Sequence, residues 1–433
     1  MRAQSSKPGP FPMAERVGKL RWWIIGLVTL GTVLNYLARS SLSVAAPTLM
    51  DVFDMNTQQY SYVVFAFQAA YTVMQTFAGA ILDFLGTRVG FTIFVAGWAL
   101  ANMGHALAGG WFSLAFWRGL LGSFEAAAIP GGLKVVSEWF PPRERTVATG
   151  VFNMGSSIGN MIAPALVAFC ILTFGWQSAF LITGAMSLIF AAIWFSLYRS
   201  PEQHKRLSEA EARHIKDPKT DDEPIAKPAE WREVVRTKGF WSIAFPRFLA
   251  EPAWQTFNFF IPLYLVAVWD FDLKQLALWA WLPFLAADAG SLLGGLTAPA
   301  LMRWFGVDLL ASRKLTVTMG AMLMIGPACI GLATSPGIAI ALFCVGGFAH
   351  QMLSGALLTL SADLFDHRAV GTATGMAGSI GWIGGALFTL VVGALAETIG
   401  YNPLFVMLAL FDLAGAAILW ALLRDQKAEP LQA

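Results

Sequence analysis

Charge is scarce in this chain. Only 13% of its 433 residues are Asp, Glu, Lys or Arg, against about 25% in an average soluble domain. A soluble protein of this length folds as two or three domains with a large polar surface, and 29 basic and 27 acidic side chains do not cover one. A soluble enzyme is thereby excluded, and a hydrophobic content of 56% excludes a disordered chain. The formal net charge is only +2, so no nucleic-acid footprint is visible. Cysteine is scarcer still. Cys170, Cys329 and Cys344 all lie in apolar runs, which excludes a disulfide framework and reads as three small buried hydrophobes. The five histidines are scattered, His204 and His214 in a polar stretch, His367 in a loop, His105 and His350 singly in apolar runs. No paired ligands for haem or a metal emerge. No G-x-x-x-x-G-K-[ST] occurs, so an ATP-driven pump lacks its phosphate cradle. The tail before Lys19, with Pro8, Pro10 and Pro12, has no apolar core of a cleavable signal.

What the chain has instead is apolar length. A run of about 18 or more apolar residues reads as a membrane span, and twelve are found, at 22–48, 58–82, 89–109, 112–138, 146–174, 177–198, 239–268, 275–300, 315–334, 337–363, 370–396 and 402–423. The stretch 199–238, rich in Lys, Arg, Asp, Glu and Pro, reads as a solvated linker. With the N-terminus in the cytoplasm, 24 of the 29 basic residues fall on that side and only Lys274 on the other. Arg39, Arg118, Lys134 and Arg247 fall inside spans. This asymmetry requires an even number of spans. The expected fold is all-α and polytopic, with six-helix bundles at 22–198 and 239–423, cytoplasmic tails at 1–21 and 424–433 and a cytoplasmic loop at 199–238.

The two halves repeat. Phe140, Arg143 and Ala148-Thr149-Gly150 recur as Phe365, Arg368 and Ala373-Thr374-Gly375, 225 residues on. A further element, Ser157-Ile158-Gly159 against Ser379-Ile380-Gly381, slips by two or three residues. Both copies fall on the cytoplasmic side, so the repeat is parallel, as in transporters whose substrate site lies between the halves.

Gly79, Asp83, Gly86 and Arg88 resemble the loop between the second and third spans of the major facilitator superfamily, although Phe84 stands where that family usually has a basic residue. Asp83 and Arg88 can pair there and lock one conformation. The resemblance narrows in Asn35-Tyr36-Leu-Ala-Arg39, in Arg118 through Glu125 to Pro130, in Phe152-Asn153-Met-Gly-Ser156-Ser157 and in His350-Gln351. These are similar to the anion:cation symporter branch and, within it, to hexuronate transporters for galacturonate and glucuronate.

That resemblance implies an anion-binding arginine at Arg118 and a proton-carrying carboxylate at Glu125. Arg39 and Arg118 each cost about 2.5–3.5 kcal/mol inside a bilayer without a partner or a wet cavity, and a guanidinium fork suits a substrate carboxylate. The bland alternative is a buried ion pair, Arg39 or Arg118 with Glu125 or another acid, or Glu125 with Lys134. Tyr36, Tyr71, Asn153, Ser156 and Ser157, with Gln255, Asn258, His350, Gln351, Ser354 and Ser379 from the second half, are candidates to read sugar hydroxyls, or else helix–helix glue. Asp288 is a second candidate for proton coupling. Arg247, just past the central loop, is expected to snorkel to the cytoplasmic surface, and Glu251 to act as a switch or to hydrogen-bond freed amides. Ala38 stands where many branch members carry a second acid, so two-proton coupling through that position is unavailable. Leu263 after Pro262, and Leu353 and Ala356 on the tenth span, also depart from the hexuronate pattern.

The expected activity is proton-coupled uptake of a sugar-acid anion in a bacterial inner membrane, by a monomer with both termini cytoplasmic and no cofactor. The alternatives are another organic anion (a keto-deoxy uronate, an aldonate, or an organophosphate by exchange) and a non-transporting sensor.

Overall fold

The computed structural model describes residues 18–216, 230–365 and 368–423; His367 and most of both tails lie outside them. Its long helices are α1 (Leu20–Phe53), α2 (Thr57–Leu85), α3 (Thr87–Gly104), α4 (Trp111–Glu125 and Ala128–Trp139), α5 (Pro142–Phe174) and α6 (Trp176–Leu197) in the first half. The second half has α7 (Lys238–Trp269), α8 (Leu273–Trp279 and Leu282–Phe305), α9 (Leu309–Leu323 and Ile325–Ala328), α10 (Pro336–Leu364), α11 (Val370–Ile399) and α12 (Asn402–Leu422). Every expected apolar run is therefore helical. Ten of these helices are long and apolar enough to cross a membrane. The other two, α4 and α7, carry Arg118, Glu125, Arg247 and Glu251.

Three expected single helices are interrupted. Pro130, Pro283 and Pro327 stand four residues after Ala126, Trp279 and Leu323, at or beside the breaks in α4, α8 and α9. A proline offers no N–H to the carbonyl four residues back, and its ring collides with that carbonyl. Pro47, Pro164 and Pro299 sit within continuous helical stretches, as do the three prolines of α7.

The halves are built alike. α1 packs along α5 as α7 does along α11, α2 on α4 as α8 on α10, and α3 on α6 as α9 on α12. Glycines mark the closest crossings. A Cβ on Gly122 would stand 2.4 Å from the Phe67 carbonyl oxygen, and one on Gly347 2.4 Å from that of Pro283. A Cβ on Gly159 would stand 2.5 Å from the Val33 oxygen, and one on Gly384 2.1 Å from that of Phe248. Each pair is separated by the 225 residues of the sequence repeat. Gly175 and Gly400, which turn the chain into α6 and α12 at φ 86° and 76°, are separated by the same interval. The register therefore holds without the slip expected after Gly150: Gly159 matches Gly384, not Gly381.

The halves meet where α2 faces α11, α5 faces α8 and α1 faces α7. At the Thr57 end this seam is tight. The Thr57 amide donates to the Glu397 carboxylate at 2.6 Å, and the Tyr60 hydroxyl donates to the Phe259 carbonyl at 2.9 Å. Gly393 lies against Ser61, where a Cβ would come within 2.4 Å of the serine Cβ. Toward the other end, Gly150 of α5 and Gly371, Gly375 and Gly378 of α11 have nothing within 4 Å of where a Cβ would stand.

Candidate substrate and coupling site

Arg39 comes from the middle of α1 and Glu125 from the last turn before the break in α4. The Arg39 Nε–H donates to Glu125 Oε2 at 3.0 Å, with the glutamate fully buried. The Arg39 Nη2 donates to Asn35 Oδ1 at 3.3 Å. Arg118, one face along α4, does not reach Glu125. Its Nη2 donates to the main-chain carbonyl of Arg39 at 3.0 Å, tying α4 to α1. Its Nε and Nη1, and Glu125 Oε1, are buried with no hydrogen-bond partner among the described residues. The glutamate therefore holds Arg39, while Arg118 retains unspent donors and, among the described residues, makes no ion pair. Lys134 plays no part.

An aromatic enclosure surrounds the Arg39 guanidinium. Its central carbon lies 4.5 Å from the Tyr36 ring centre, 4.9 Å from Tyr71, 5.2 Å from Phe67 and 5.9 Å from Trp382. Such rings hold a cation by its attraction to the π face. Trp382 belongs to α11 and stacks on Tyr71 of α2 at 4.5 Å, so the enclosure spans both halves. Arg118 also lies over the Phe67 ring, 4.9 Å from its centre. The structure thus brings Tyr36 and Tyr71 to the Arg39 guanidinium, together with Phe67 and Trp382, which the sequence does not single out. Among 17 tryptophans no sequence signal singles out Trp382.

A second polar line crosses the halves. Gln68 of α2 donates to Gln255 Oε1 of α7 at 3.3 Å, and Gln255 donates to Glu251 Oε1 at 3.0 Å. Arg247 faces Glu251 Oε2 at 3.8 Å. Arg247 therefore does not snorkel, because a counter-charge lies one turn along its own helix, and Glu251 binds side chains rather than freed amides. Gln68 was overlooked, although a lone amide in an apolar run carries the same signal as Gln255. His350 stacks on Trp254 at 5.5 Å. Gln351, beside it on α10, is half-buried, as is Ser354. Asn258 donates to its own helix, to the Trp254 carbonyl, at 2.8 Å.

On α5, Ser157 donates to the Asp288 carboxylate of α8, a bond between the halves. Asp288 thus has a hydroxyl partner. Asn160, also missed, accepts from the Ser40 hydroxyl at 2.6 Å. Ser156 and Ser379 bond the carbonyls of Asn153 and Gly375 on their own helices at 2.7 and 3.2 Å, and the Asn153 side chain is exposed. These three are not drawn into the Arg39 enclosure.

Asp83 and Arg88 do not pair with each other. Asp83 binds Lys134 of α4, and the Arg88 Nε donates to the Phe195 carbonyl at 2.8 Å, its guanidinium over the Phe195 ring. The positive φ of Gly86 sends α2 and α3 apart at this turn, so each charge finds a partner on a different neighbouring helix.

Two six-helix halves, with a buried, incompletely neutralised charge cluster in the first that Trp382 of the second helps enclose, define a secondary transporter. A family profile for the Major Facilitator Superfamily matches residues 28–307, and the chain belongs to that superfamily; it is a transporter, not an enzyme. The hexuronate transporter of Escherichia coli (strain K12) is 52% identical over 416 residues, 96% of each chain. The galacturonate transporter of Dickeya chrysanthemi is 51% identical over 328 residues, 75% of this chain and 95% of its own. Among solved structures, a bacterial homolog of the human lysosomal transporter Spinster, inward-facing and occupied, superposes with a TM-score of 0.76 at 18% identity, covering 94% of this chain and 98% of the other. At that identity the likeness speaks for the fold alone.

Proposed function

We propose that this protein takes up hexuronates such as glucuronate or galacturonate together with a proton, by alternating access, as a monomer in a bacterial inner membrane with both termini in the cytoplasm. The observation that carries the reading is the Arg39–Glu125 bond beside an Arg118 with unspent donors. A substrate carboxylate needs guanidinium N–H groups, and Glu125 occupies the Nε of Arg39. Substrate and ionised glutamate therefore compete for one cation. A proton on Glu125 weakens its hold and frees Arg39 for the incoming anion, with Arg118 as the second donor. Binding of the proton and of the anion then favour each other, as linkage requires.

Ala38, fully buried beside Arg39, offers no second acid, so one proton per monoanion is the expected ratio. Tyr36, Tyr71 and Trp382 present ring faces to the sugar, and Gln68, Gln255 and Asn258 offer amides to its hydroxyls. The Thr57–Glu397 end is the periplasmic gate in its closed form. The 52% identity to a hexuronate transporter supports the choice of substrate.

The test is uptake of labelled glucuronate into proteoliposomes under an imposed inward proton gradient. Accumulation that collapses with a protonophore supports the reading. Uptake indifferent to the gradient removes proton coupling, and no uptake of either hexuronate removes the substrate class.

A further inference from the structure

The end of α6 and the start of α1 form, with the first turn of the central loop, a cavity of about 600 Å³. Its wall is of two kinds. Leu20, Trp23 and Leu197 are apolar, and Arg199, Lys205 and Arg206 are cationic. Among the described residues none of these three cations is in an ion pair. The cradle is held in shape from behind. Tyr198 donates to Glu138 of α4, and the His204 ring lies edge-on to Trp139 at 5.6 Å. The His204 Nδ1 accepts the Arg206 amide at 3.3 Å, closing the turn that presents Lys205 and Arg206. Burial, and then the nearby positive charge of Arg206 and Arg199, hold the His204 imidazole below its ordinary pKa. The lining carries three cations and no acidic side chain.

Trp23 is half exposed and Leu197 nearly so. Both belong to membrane-spanning helices, within a turn or so of where those helices end. A tryptophan at a span end marks the headgroup level of a bilayer, and a cation cluster at that level attracts anionic lipid. A free phosphate would use the cations alone; a phospholipid uses the apolar wall as well, its acyl chain lying along Trp23 and Leu197.

We propose that this cavity binds the phosphate headgroup of an anionic phospholipid, with Arg199, Lys205 and Arg206 on the phosphate and Trp23 and Leu197 against the acyl chain. The bound lipid joins the first bundle to the start of the central loop. The site is separate from the Arg39–Glu125 cluster and does not depend on which anion the protein transports.

The test uses the delipidated full chain in detergent, with thermal unfolding followed against dioleoyl phosphatidylglycerol, dioleoyl phosphatidylcholine and inorganic phosphate. Phosphatidylglycerol is expected to raise the unfolding midpoint, and the other two to leave it unmoved at equal concentration. In the variant Arg199→Gln/Lys205→Gln/Arg206→Gln the lipid concentration for half the effect should rise by about tenfold or more. A charge-matched control, Arg232→Gln/Arg236→Gln/Lys238→Gln, should leave it unchanged. Should the triple variant not fold, Arg206→Gln and Trp23→Ala singly should each weaken the response several-fold. An equal response to phosphatidylcholine or to inorganic phosphate, or an equal loss in the control, overturns the proposal.

Discussion

Arg39 and Glu125 lie 86 positions apart in the chain, and their side chains meet at 3.0 Å inside the first bundle. The meeting depends on the break in α4. Glu125 ends the first segment of that helix at Ala126, where Pro130 removes the continuing hydrogen bond. A carboxylate at a helix interruption is freer to change partners than one locked in a regular turn.

Glu125→Gln keeps the shape of the side chain and removes its charge and its titration. Proton-driven accumulation of glucuronate should be lost, while exchange of labelled for unlabelled substrate across the membrane should persist. Counterflow in proteoliposomes separates the two. Accumulation that survives would move the coupling proton elsewhere, Asp288 being next in line.

Arg39→Lys and Arg118→Lys preserve charge but remove the planar fork. Either should weaken substrate binding by on the order of 2 kcal/mol or more, about thirtyfold in apparent affinity. Calorimetric titration with glucuronate reads this directly. Unchanged affinity in Arg118→Lys would take that arginine out of the site.

Gly393→Leu places a side chain where the Ser61 Cβ stands within 2.4 Å of a Cβ. The Thr57 end of the seam should then fail to close. Net uptake should fall by tenfold or more, with binding to the detergent-solubilised protein retained. Normal uptake would show that this contact does not gate the pathway.

Gly122→Val and Gly347→Val should each destabilise the protein by at least about 1–3 kcal/mol, the usual cost of overpacking, because a main-chain oxygen stands 2.4 Å from each Cβ. Gly150→Ala meets nothing within 4 Å and should be neutral or slightly stabilising. Melting midpoints compare the three. Similar losses at Gly122 and Gly347 would also test the equivalence of the halves.

A double-mutant cycle at Asp83 and Lys134 should show a coupling of about 0–1 kcal/mol, since the Asp83 side chain is 73% exposed. A cycle at Asp83 and Arg88 should show none. Coupling between Asp83 and Arg88 would mean that the opposite conformation brings them together.

The spans, the repeat and the two arginines buried mid-span, Arg39 and Arg118, were legible because each rests on local physics. A run of apolar residues costs little in a bilayer wherever it packs. Arg39, Arg118, Glu125 and Gln255 stood out because each is a polar side chain in such a run. Trp382 and Phe67 did not, because an aromatic residue among apolar neighbours looks the same whether it faces lipid or a guanidinium. The breaks in α4, α8 and α9 carried a signal in Pro130, Pro283 and Pro327, but Pro47 and Pro164 carry the same signal inside unbroken stretches of α1 and α5.

The amino-acid order alone determined that this chain lives in a membrane, that it has twelve long helices in two like halves, and that Arg39, Arg118 and Glu125 are buried among them; the burial of Arg21, Glu211, Lys314 and Asp412 it did not show. Hydropathy and spacing act over a single helix, so they are written in the chain. The tertiary structure alone decided the partners: Glu125 with Arg39 and not Arg118, Asp83 with Lys134 and not Arg88, Arg247 with Glu251 and not the surface, Trp382 on Tyr71. A side chain's partner depends on which face of one helix meets which face of another, and that is set by glycine crossings and helix breaks acting together across the whole fold.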